Sequence, residues 1–450
     1  MIRIRRAAAI LALLTAGCGS GYEGPPVVVI GMDGLEWSVL GPLVVAGRAP
    51  NFAALIARGT AGALATDVPT LSPVVWTSIA TGVRPFVHGI RFFSETDARG
   101  EPREDGLPYT SNSRAAPAIW NVAAENDRRV LAVAWWVSWP AEALRHGRVV
   151  SSYAAQAQGK LLWSGDAAGG FPEHTWPPEL AEEIAPAIHA GRPDGPLAAE
   201  YAAAFGTVPA EWPRDARMDS VFRATYHADR THLRVFVDQL RADPADLNLV
   251  YFGLPDIAGH FWWRYHEPAA YPEPAGPRKV EALGPRLEAT YEQVDAWLGE
   301  ILAAAPAQSR ILLLSDHGMH ALPDAGPRAV QNGGHDDAPP GVLILAGPQV
   351  RERGLLPAGA RELGSIYDVM PTLLDWLELP PAAGLPGRSL RQLMGDAWGD
   401  AHPPRQPRNY AKGFRAATPP RAPTEHAAEI FLKTFLDDIG YAGGAEFSDD

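Results

Sequence analysis

Two pairs of carboxylate and imidazole side chains have the spacing of metal ligands. Asp256 and His260 lie four residues apart, so a helical turn would direct both side chains to one face. Asp316 and His317 are neighbours, and the glycine that follows them leaves room for an ion close to the backbone. Either pair alone is also compatible with a purely structural role in a helix or a turn.

Two further candidates, Asp33 and His335, stand in glycine-rich motifs. Asp33 belongs to Gly-Met-Asp-Gly and His335 to Gly-Gly-His-Asp-Asp. Taken singly, Asp33 would be a turn former and His335 a histidine of a surface loop. Because all these candidates recur beside predicted strands, the set as a whole predicts a metal centre with nitrogen and oxygen ligands.

Ser72 is the candidate nucleophile. It precedes Pro73, and a run of helix-compatible residues then ends at Gly82, so the spacing predicts a helix with Ser72 at its N-cap. The positive end of that helix would favour an alkoxide and a bound phosphoryl group. The alternative is that Ser72 only caps the helix.

Strands and helices alternate along the chain. Continuous apolar runs predict strands, and amphipathic patterns predict helices. This alternation is typical of an α/β sandwich with a mostly parallel sheet, whose ligands collect beyond the carboxyl ends of the strands. The predicted strands cover 27–31, 247–252, 310–314 and 341–346, and the predicted helices cover 51–58, 116–125, 220–241, 279–305 and 366–377.

The order of the motifs along the chain resembles that of the alkaline phosphatase superfamily and, within it, of the type I phosphodiesterase/nucleotide pyrophosphatase family. The resemblance extends from about residue 27 to residue 390. It implies an alkaline-phosphatase-like three-layer α/β/α sandwich with a cap insertion. Besides Asp256 and His260, the motifs that carry it are Gly-Met-Asp-Gly at 31–34, Thr-Ser-Ile-Ala-Thr-Gly at 77–82, His-Gly-Ile at 88–90, Ser-Asp-His-Gly-Met at 315–319 and Gly-His at 334–335.

The resemblance also implies two divalent metal ions and a phosphoseryl intermediate on Ser72. Ligands of this type without thiolates suit Zn²⁺ best, with Mn²⁺ or Fe as alternatives. Such a pair of ions would assist hydrolysis of a phosphodiester or pyrophosphate by double displacement. By the resemblance, one ion would be held by Asp256, His260 and His335, and the other by Asp33, Asp316, His317 and the Ser72 oxygen.

Three other functions stay open at this point. A phosphomonoesterase, or an envelope enzyme that transfers a phospho-group, would use the same serine and metals on another substrate or acceptor. An inactive metal-binding surface protein would keep the ligands without turnover. The role of the segment after His260 is undecided too: Trp262, Trp263 and Arg264 would either form a wall that contacts a leaving group or belong to the core.

The N-terminus predicts export. Arginines precede a short apolar run over 7–16, which is typical of a signal peptide, and the run ends in a lipobox-like segment at Cys18. We therefore expect a cell-envelope lipoprotein lipidated on Cys18, or a secreted protein if cleavage occurs without lipidation. A net charge of −13 argues against a nucleic-acid partner. The expected partners are a small phosphoester and the membrane.

The expected organisation has five parts. A signal peptide over 1–18 and a linker over 19–26 precede a hydrolase core over 27–395. A Pro-, Gly- and Trp-rich insertion over about 156–213 interrupts the core and is expected to influence substrate choice. A C-terminal extension over 396–450 is expected to end in a helix.

Overall fold

The computed structural model describes residues 21–414 except 98, 102, 104–105, 107, 153, 155–172, 193–194, 327–328 and 404. The signal peptide with Cys18, the first part of the insertion and the expected last helix lie outside the described residues. The strands are β1 Val27–Met32, β2 Gly59–Ala65, β3 Val130–Val133, β4 Gly147–Val150, β5 Thr175–Trp176, β6 Leu247–Phe252, β7 Arg310–Leu314, β8 His320–Ala321, β9 Gly333–Gly334, β10 Gly341–Ala346, β11 Gly354–Leu355 and β12 Glu362–Ser365.

The central sheet has the strand order β11-β2-β10-β7-β1-β6-β3-β4-β5, and β12 also pairs with β2. Its middle strands β7, β1, β6, β3 and β4 are parallel, whereas β10 runs antiparallel to both β7 and β2. All residues of β1, β6, β7 and β10 are buried, as expected when helices cover both faces of a sheet. The prediction of an α/β fold with a mostly parallel sheet is confirmed.

The helices pack in two groups. In one group α11 contacts α1, α2, α8 and α9, and in the other α12 contacts α3 and α5. The helices are α1 Trp37–Val45, α2 Pro50–Ala57, α3 Ser72–Thr81, α4 Pro85–His88, α5 Ile119–Glu125, α6 Leu180–Ala190, α7 Leu197–Phe205, α8 Pro213–Ala242, α9 Leu254–His266, α10 Pro277–Leu283, α11 Pro285–Ala304, α12 Val369–Trp376 and α13 Trp398–Ala401. Short 3₁₀ turns cover Ser111–Ser113, Pro268–Ala270, Ala358–Ala360, Ile366–Asp368 and Arg391–Leu393.

Predicted strand positions match the observed ones closely, and the helix bounds differ more. The helix expected over 279–305 is broken between α10 and α11, because Pro285 lacks an N–H and starts a new helix after Gly284. The helix expected over 220–241 is longer and begins at Pro213. The first residues of the helix expected over 366–377 form a 3₁₀ turn before α12.

The described part of the insertion is more regular than its sequence predicts. It contains α6 and α7, which both pack against α8, and β5, which extends the sheet beside β4. Its effect on substrate choice stays a prediction. Among the described residues, no single helix is long and apolar enough to cross a membrane; only α1 and α2 taken together, at a bend of 92°, meet that test.

Candidate metal centre

Three carboxylates meet at the carboxyl ends of three adjacent parallel strands. Asp33 follows β1, Asp316 follows β7 by two residues, and Asp256 lies in the first turn of α9 after β6. The pairing of Met32 with Phe252 and of Gly31 with Leu314 brings these strand ends level. The centre therefore lies where ligands are expected in an open parallel sheet.

Gly34 allows the strand ends to come this close. Its φ is +68°, and a Cβ at this position would lie 2.7 Å from the Asp256 Cα. Any side chain would therefore push Asp256 away from Asp33. This gives a physical reason for the second glycine of the Gly-Met-Asp-Gly motif.

The six candidate ligands form two adjoining clusters. In one, the Asp256 Oδ1 lies 3.4 Å from the His260 Nε2 and 3.6 Å from the His335 Nε2. In the other, the ligand atoms of Asp33, Asp316 and His317 lie within 4.8 Å of one another. The His317 ligand atom also lies within that distance of ligand atoms of Asp256 and His335, so it adjoins both clusters.

Hydrogen bonds at Nδ1 turn the Nε2 lone pairs of the histidines toward the clusters. The Nδ1 atoms of His260 and His317 contact the carbonyl oxygens of Gly333 (2.8 Å) and Gly318 (3.0 Å). A carbonyl only accepts, so each Nδ1 carries a proton, and in the neutral form of such a ring the lone pair lies on Nε2. This is the tautomer that a metal ligand requires.

Thr70 fixes His335 in the same way. Its Oγ1 donates to the His335 carbonyl (2.9 Å) and therefore accepts from the His335 Nδ1 (3.0 Å). Burial, together with the neighbouring His317 and His260, lowers the pKa of His335. The ring is thus held neutral with its Nε2 lone pair directed at the His260 Nε2.

The carboxylates leave oxygens available on the inner side. The Asp33 Oδ2 accepts from the Trp76 Nε1 (2.9 Å) and the Tyr251 hydroxyl (2.7 Å), whereas its Oδ1 has no hydrogen-bond partner. Both Asp316 oxygens and the His317 Nε2 are buried without such partners as well. Burial, and as the second cause the neighbouring Asp33 carboxylate, raise the pKa of Asp316 well above its ordinary value.

These features fit divalent cations. Buried carboxylates that repel one another need a positive charge nearby, and lone pairs on neutral imidazoles need an acceptor of electrons. Nitrogen and oxygen atoms supply all the ligands of the two clusters, a set that suits Zn²⁺.

Ser72 lies at the start of α3, with Leu71 rather than Ser72 at the N-cap. The prediction placed the cap one residue late, but Gly82 ends the helix in the left-handed conformation as expected (φ 69°). Ser72 is 5% exposed. Trp76 follows one turn later on the same face of the helix and donates to Asp33. This face of α3 is therefore directed toward the cluster of Asp33, Asp316 and His317.

The segment after His260 belongs to the core and not to a substrate wall. Trp262 is fully buried beneath Phe222, at a ring distance of 5.7 Å. The Arg264 guanidinium donates to the carbonyls of Glu273 and Ala325. The Trp263 Nε1 donates to Glu267 (3.0 Å), so none of the three is directed at the metal centre by these contacts.

Three residues that orient candidate ligands were not predicted from the sequence: Thr70, Trp76 and Tyr251. Trp76 could have been found from its position one helical turn after Ser72. Tyr251 lies in β6, and the pattern of the strand gives no sign that its hydroxyl reaches Asp33. Thr70 could have been noted only as a neighbour of Ser72.

The model of the type I phosphodiesterase/nucleotide pyrophosphatase family matches residues 27–336. No curated protein matches the sequence. A solved phosphonoacetate hydrolase from Sinorhizobium meliloti is 20% identical, over 71% of this chain and 60% of its own, with a TM-score of 0.40. A murine ectonucleotide pyrophosphatase/phosphodiesterase 5 is 14% identical over 82% and 100% (TM-score 0.47), and a putative sulfatase from Bacteroides thetaiotaomicron is 13% identical over 86% and 76% (TM-score 0.49).

Proposed function

The chain belongs to the type I phosphodiesterase/nucleotide pyrophosphatase family, and on this premise we propose that it hydrolyses phosphoesters, preferably diesters, through a phosphoseryl intermediate on Ser72. The observation that carries the proposal is the convergence of six acidic and imidazole ligands beside the start of α3, where Thr70 contacts His335 and Trp76 contacts Asp33. The family match agrees with the enzyme class that the sequence predicts, and it supports the same conclusion.

Each residue has a defined part in the reaction. Asp33, Asp316 and His317 would hold one Zn²⁺, and Asp256, His260 and His335 the other, with His317 close enough to serve both. When bound, such ions act as Lewis acids that offset the negative charge of the phosphoryl group. Trp76 and Tyr251 fix the Asp33 carboxylate, and Thr70 fixes the His335 ring.

The reaction would proceed in two displacements at phosphorus. The Ser72 Oγ forms a bond to phosphorus and loses its proton to solvent, while the bond to the leaving alcohol breaks and that oxygen is protonated. Water then forms a bond to phosphorus and gives up one proton, the bond between phosphorus and the Ser72 Oγ breaks, and the serine oxygen takes up a proton. The positive end of α3 favours the negative charge at Ser72 in both steps.

We also propose that the enzyme works outside the cytoplasm. The signal-like N-terminus and Cys18 support a lipid-anchored form in the cell envelope. Metabolic labelling with a palmitate analogue tests this directly, because Cys18→Ser should abolish the label. Retention of the label in that variant would exclude Cys18 as the lipidated residue.

The test of the activity compares two substrates with the same leaving group. The zinc-loaded protein is assayed on bis-p-nitrophenyl phosphate and p-nitrophenyl phosphate, beside Ser72→Ala and a chelator-treated sample. We expect faster turnover of the diester, lost in both controls. Preference for the monoester would identify a phosphomonoesterase, and turnover that survives in Ser72→Ala would contradict the proposed nucleophile.

A further inference from the structure

Helix α9 carries two candidate ligands of one cluster, Asp256 in its first turn and His260 one turn later. Its N-cap residue is Gly253, which has no side chain to accept hydrogen bonds from the first N–H groups of the helix. Pro255, at the second helical position, lacks an N–H. The start of α9 therefore needs an acceptor from another part of the fold.

That acceptor is Asp229, a residue of the long helix α8. Its Oδ2 accepts from the N–H groups of Gly253 and Leu254, both at 2.8 Å. Asp229 is 4% exposed, and its hydrogen bond with Leu254 is buried. Loss of the acceptor would leave a buried N–H without a partner, which costs about 1–3 kcal/mol.

Close packing along α9 makes the position of its first turn important. A Cβ on Gly34 would lie 2.7 Å from the Asp256 Cα, and a Cβ on Gly259 would lie 2.6 Å from the Met319 Cε. The third ligand of the cluster, His335, comes from a different part of the chain, and its Nε2 lies 3.6 Å from the Asp256 Oδ1. A shift of the start of α9 would therefore change the distances between the ligands.

The two hydrogen bonds require an acceptor oxygen but no negative charge. Burial raises the pKa of Asp229 to about 8, against the opposing effect of the bonds from Leu254 and Gly253. A neutral group is thus compatible with this buried position. An Asn side chain, which offers a carbonyl oxygen at the same distance from the backbone, should replace Asp229.

We infer that Asp229 is a positioning residue of the metal centre: it holds the start of α9 so that Asp256 and His260 stay close to His335. Asp229 acts through the backbone of α9, since its hydrogen bonds are to Gly253 and Leu254 and not to a ligand side chain. The inference rests on the proposed function in its premise that the cluster binds a metal ion.

Asp295 provides a matched control, because it caps another helix in the same way. It lies in α11, is 3% exposed and accepts from the N–H groups of Asn51 (3.3 Å) and Phe52 (2.8 Å) at the start of α2. None of the candidate ligands belongs to α2. Removal of Asp295 should therefore destabilise the fold without changing the metal centre.

The test compares zinc affinity, measured by competition with a chromophoric chelator. We expect Asp229→Ala to weaken the binding of one ion by about 10-fold or more, and Asp229→Asn to stay close to the wild type. Asp295→Ala should keep the wild-type affinity even though its thermal unfolding midpoint falls. Wild-type zinc affinity in Asp229→Ala, or an equal loss of affinity in Asp295→Ala, would overturn the positioning role.

A further variant covers the case in which Asp229→Ala does not fold. Asp229→Glu keeps the carboxylate but moves it by one methylene group, so we expect it to bind zinc more weakly than Asp229→Asn. Wild-type zinc affinity in Asp229→Glu, or weaker binding in a folded Asp229→Asn than in Asp229→Glu, would also overturn the inference.

Zinc affinity is measured without turnover, which separates this inference from the proposed function. A loss of affinity in Asp229→Ala that Asp229→Asn restores, without Ser72-dependent hydrolysis by the wild type, would support the role of Asp229 and contradict the proposed function. Ser72-dependent hydrolysis by the wild type, with unchanged zinc affinity in Asp229→Ala, would overturn the role of Asp229 and leave the proposed function standing.

Discussion

The imidazoles of His260 and His335 meet through their Nε2 atoms, 3.2 Å apart. Both Nδ1 atoms already act as donors, to the Gly333 carbonyl and to the Thr70 hydroxyl, so in each ring Nε2 is the nitrogen left to bind a metal. Two lone pairs at this distance repel each other unless a cation lies between or beside them. Burial and the neighbouring histidines lower the pKa of His335 and so disfavour a proton on its ring, and a metal ion fits beside the two Nε2 atoms.

Metal removal should destabilise the protein. Ions that bind only the folded chain stabilise it by about 2.7 kcal/mol at 100 times their dissociation constant. We expect chelation to lower the thermal unfolding midpoint and added zinc to restore it, as measured by circular dichroism. A midpoint that is the same with chelator and with zinc would contradict a metal centre at these buried ligands.

Replacing His317 should remove more metal than replacing His260. The ligand atom of His317 lies within reach of both clusters, whereas the His260 Nε2 contacts Asp256 and His335 of one cluster. We expect His317→Ala to lose most of both ions after dialysis, and His260→Ala to retain about one, as measured by elemental mass spectrometry. Equal losses in the two variants would show that His317 is not shared.

Trp76→Phe should weaken metal binding without touching a ligand. The change removes the donor to the Asp33 Oδ2 and frees the carboxylate to rotate, which typically costs about 10-fold or more in metal affinity. Competition with a chromophoric chelator measures the zinc affinity. Trp398→Phe is the matched control, since its Nε1 bonds to Asp375 (3.1 Å) outside the metal centre. Equal zinc affinities in the two variants would rule out the positioning role of Trp76.

The sequence predicted the parts of the molecule that depend on local pattern. The runs over 247–252, 310–314 and 341–346 coincide with strands because strands buried on both faces are continuously apolar. The candidate ligands could be proposed because motif order and strand ends locate them. Contacts between residues far apart in the sequence could not be predicted. Nothing in β6 shows that the Tyr251 hydroxyl reaches Asp33. Nothing in the local sequence places His317 beside His335, at a ring distance of 3.8 Å.

His88 should make stability depend on acid pH. Its Nδ1 accepts from the Ile90 N–H (3.1 Å), so its Nε2 donates to the Ser78 Oγ (2.9 Å) and holds α3 to the following turn. Burial, with a smaller effect of the Arg114 charge, lowers the pKa of His88 to about 3. Between its ordinary pKa of about 6.5 and this value, the unfolded chain binds a proton that the folded chain does not.

The contribution of His88 to stability is therefore complete at neutral pH and declines as the pH falls below about 6.5. Urea unfolding of the metal-free protein at pH 7 and pH 5 measures it. We expect His88→Gln to be destabilised at pH 7 and the gap to the wild type to narrow at pH 5, while His189→Gln, at an exposed position, shows no such change. A gap that does not vary with pH would mean that His88 is not held neutral by burial.

The most direct test of the proposed function is to trap the intermediate on Ser72. The zinc-loaded protein is mixed with bis-p-nitrophenyl phosphate, quenched in acid within one turnover, digested and analysed by mass spectrometry. We predict a p-nitrophenyl phosphoryl group on the peptide that contains Ser72, and neither adduct nor turnover in Ser72→Ala. An adduct on another residue, or undiminished hydrolysis by Ser72→Ala, would contradict the proposed mechanism.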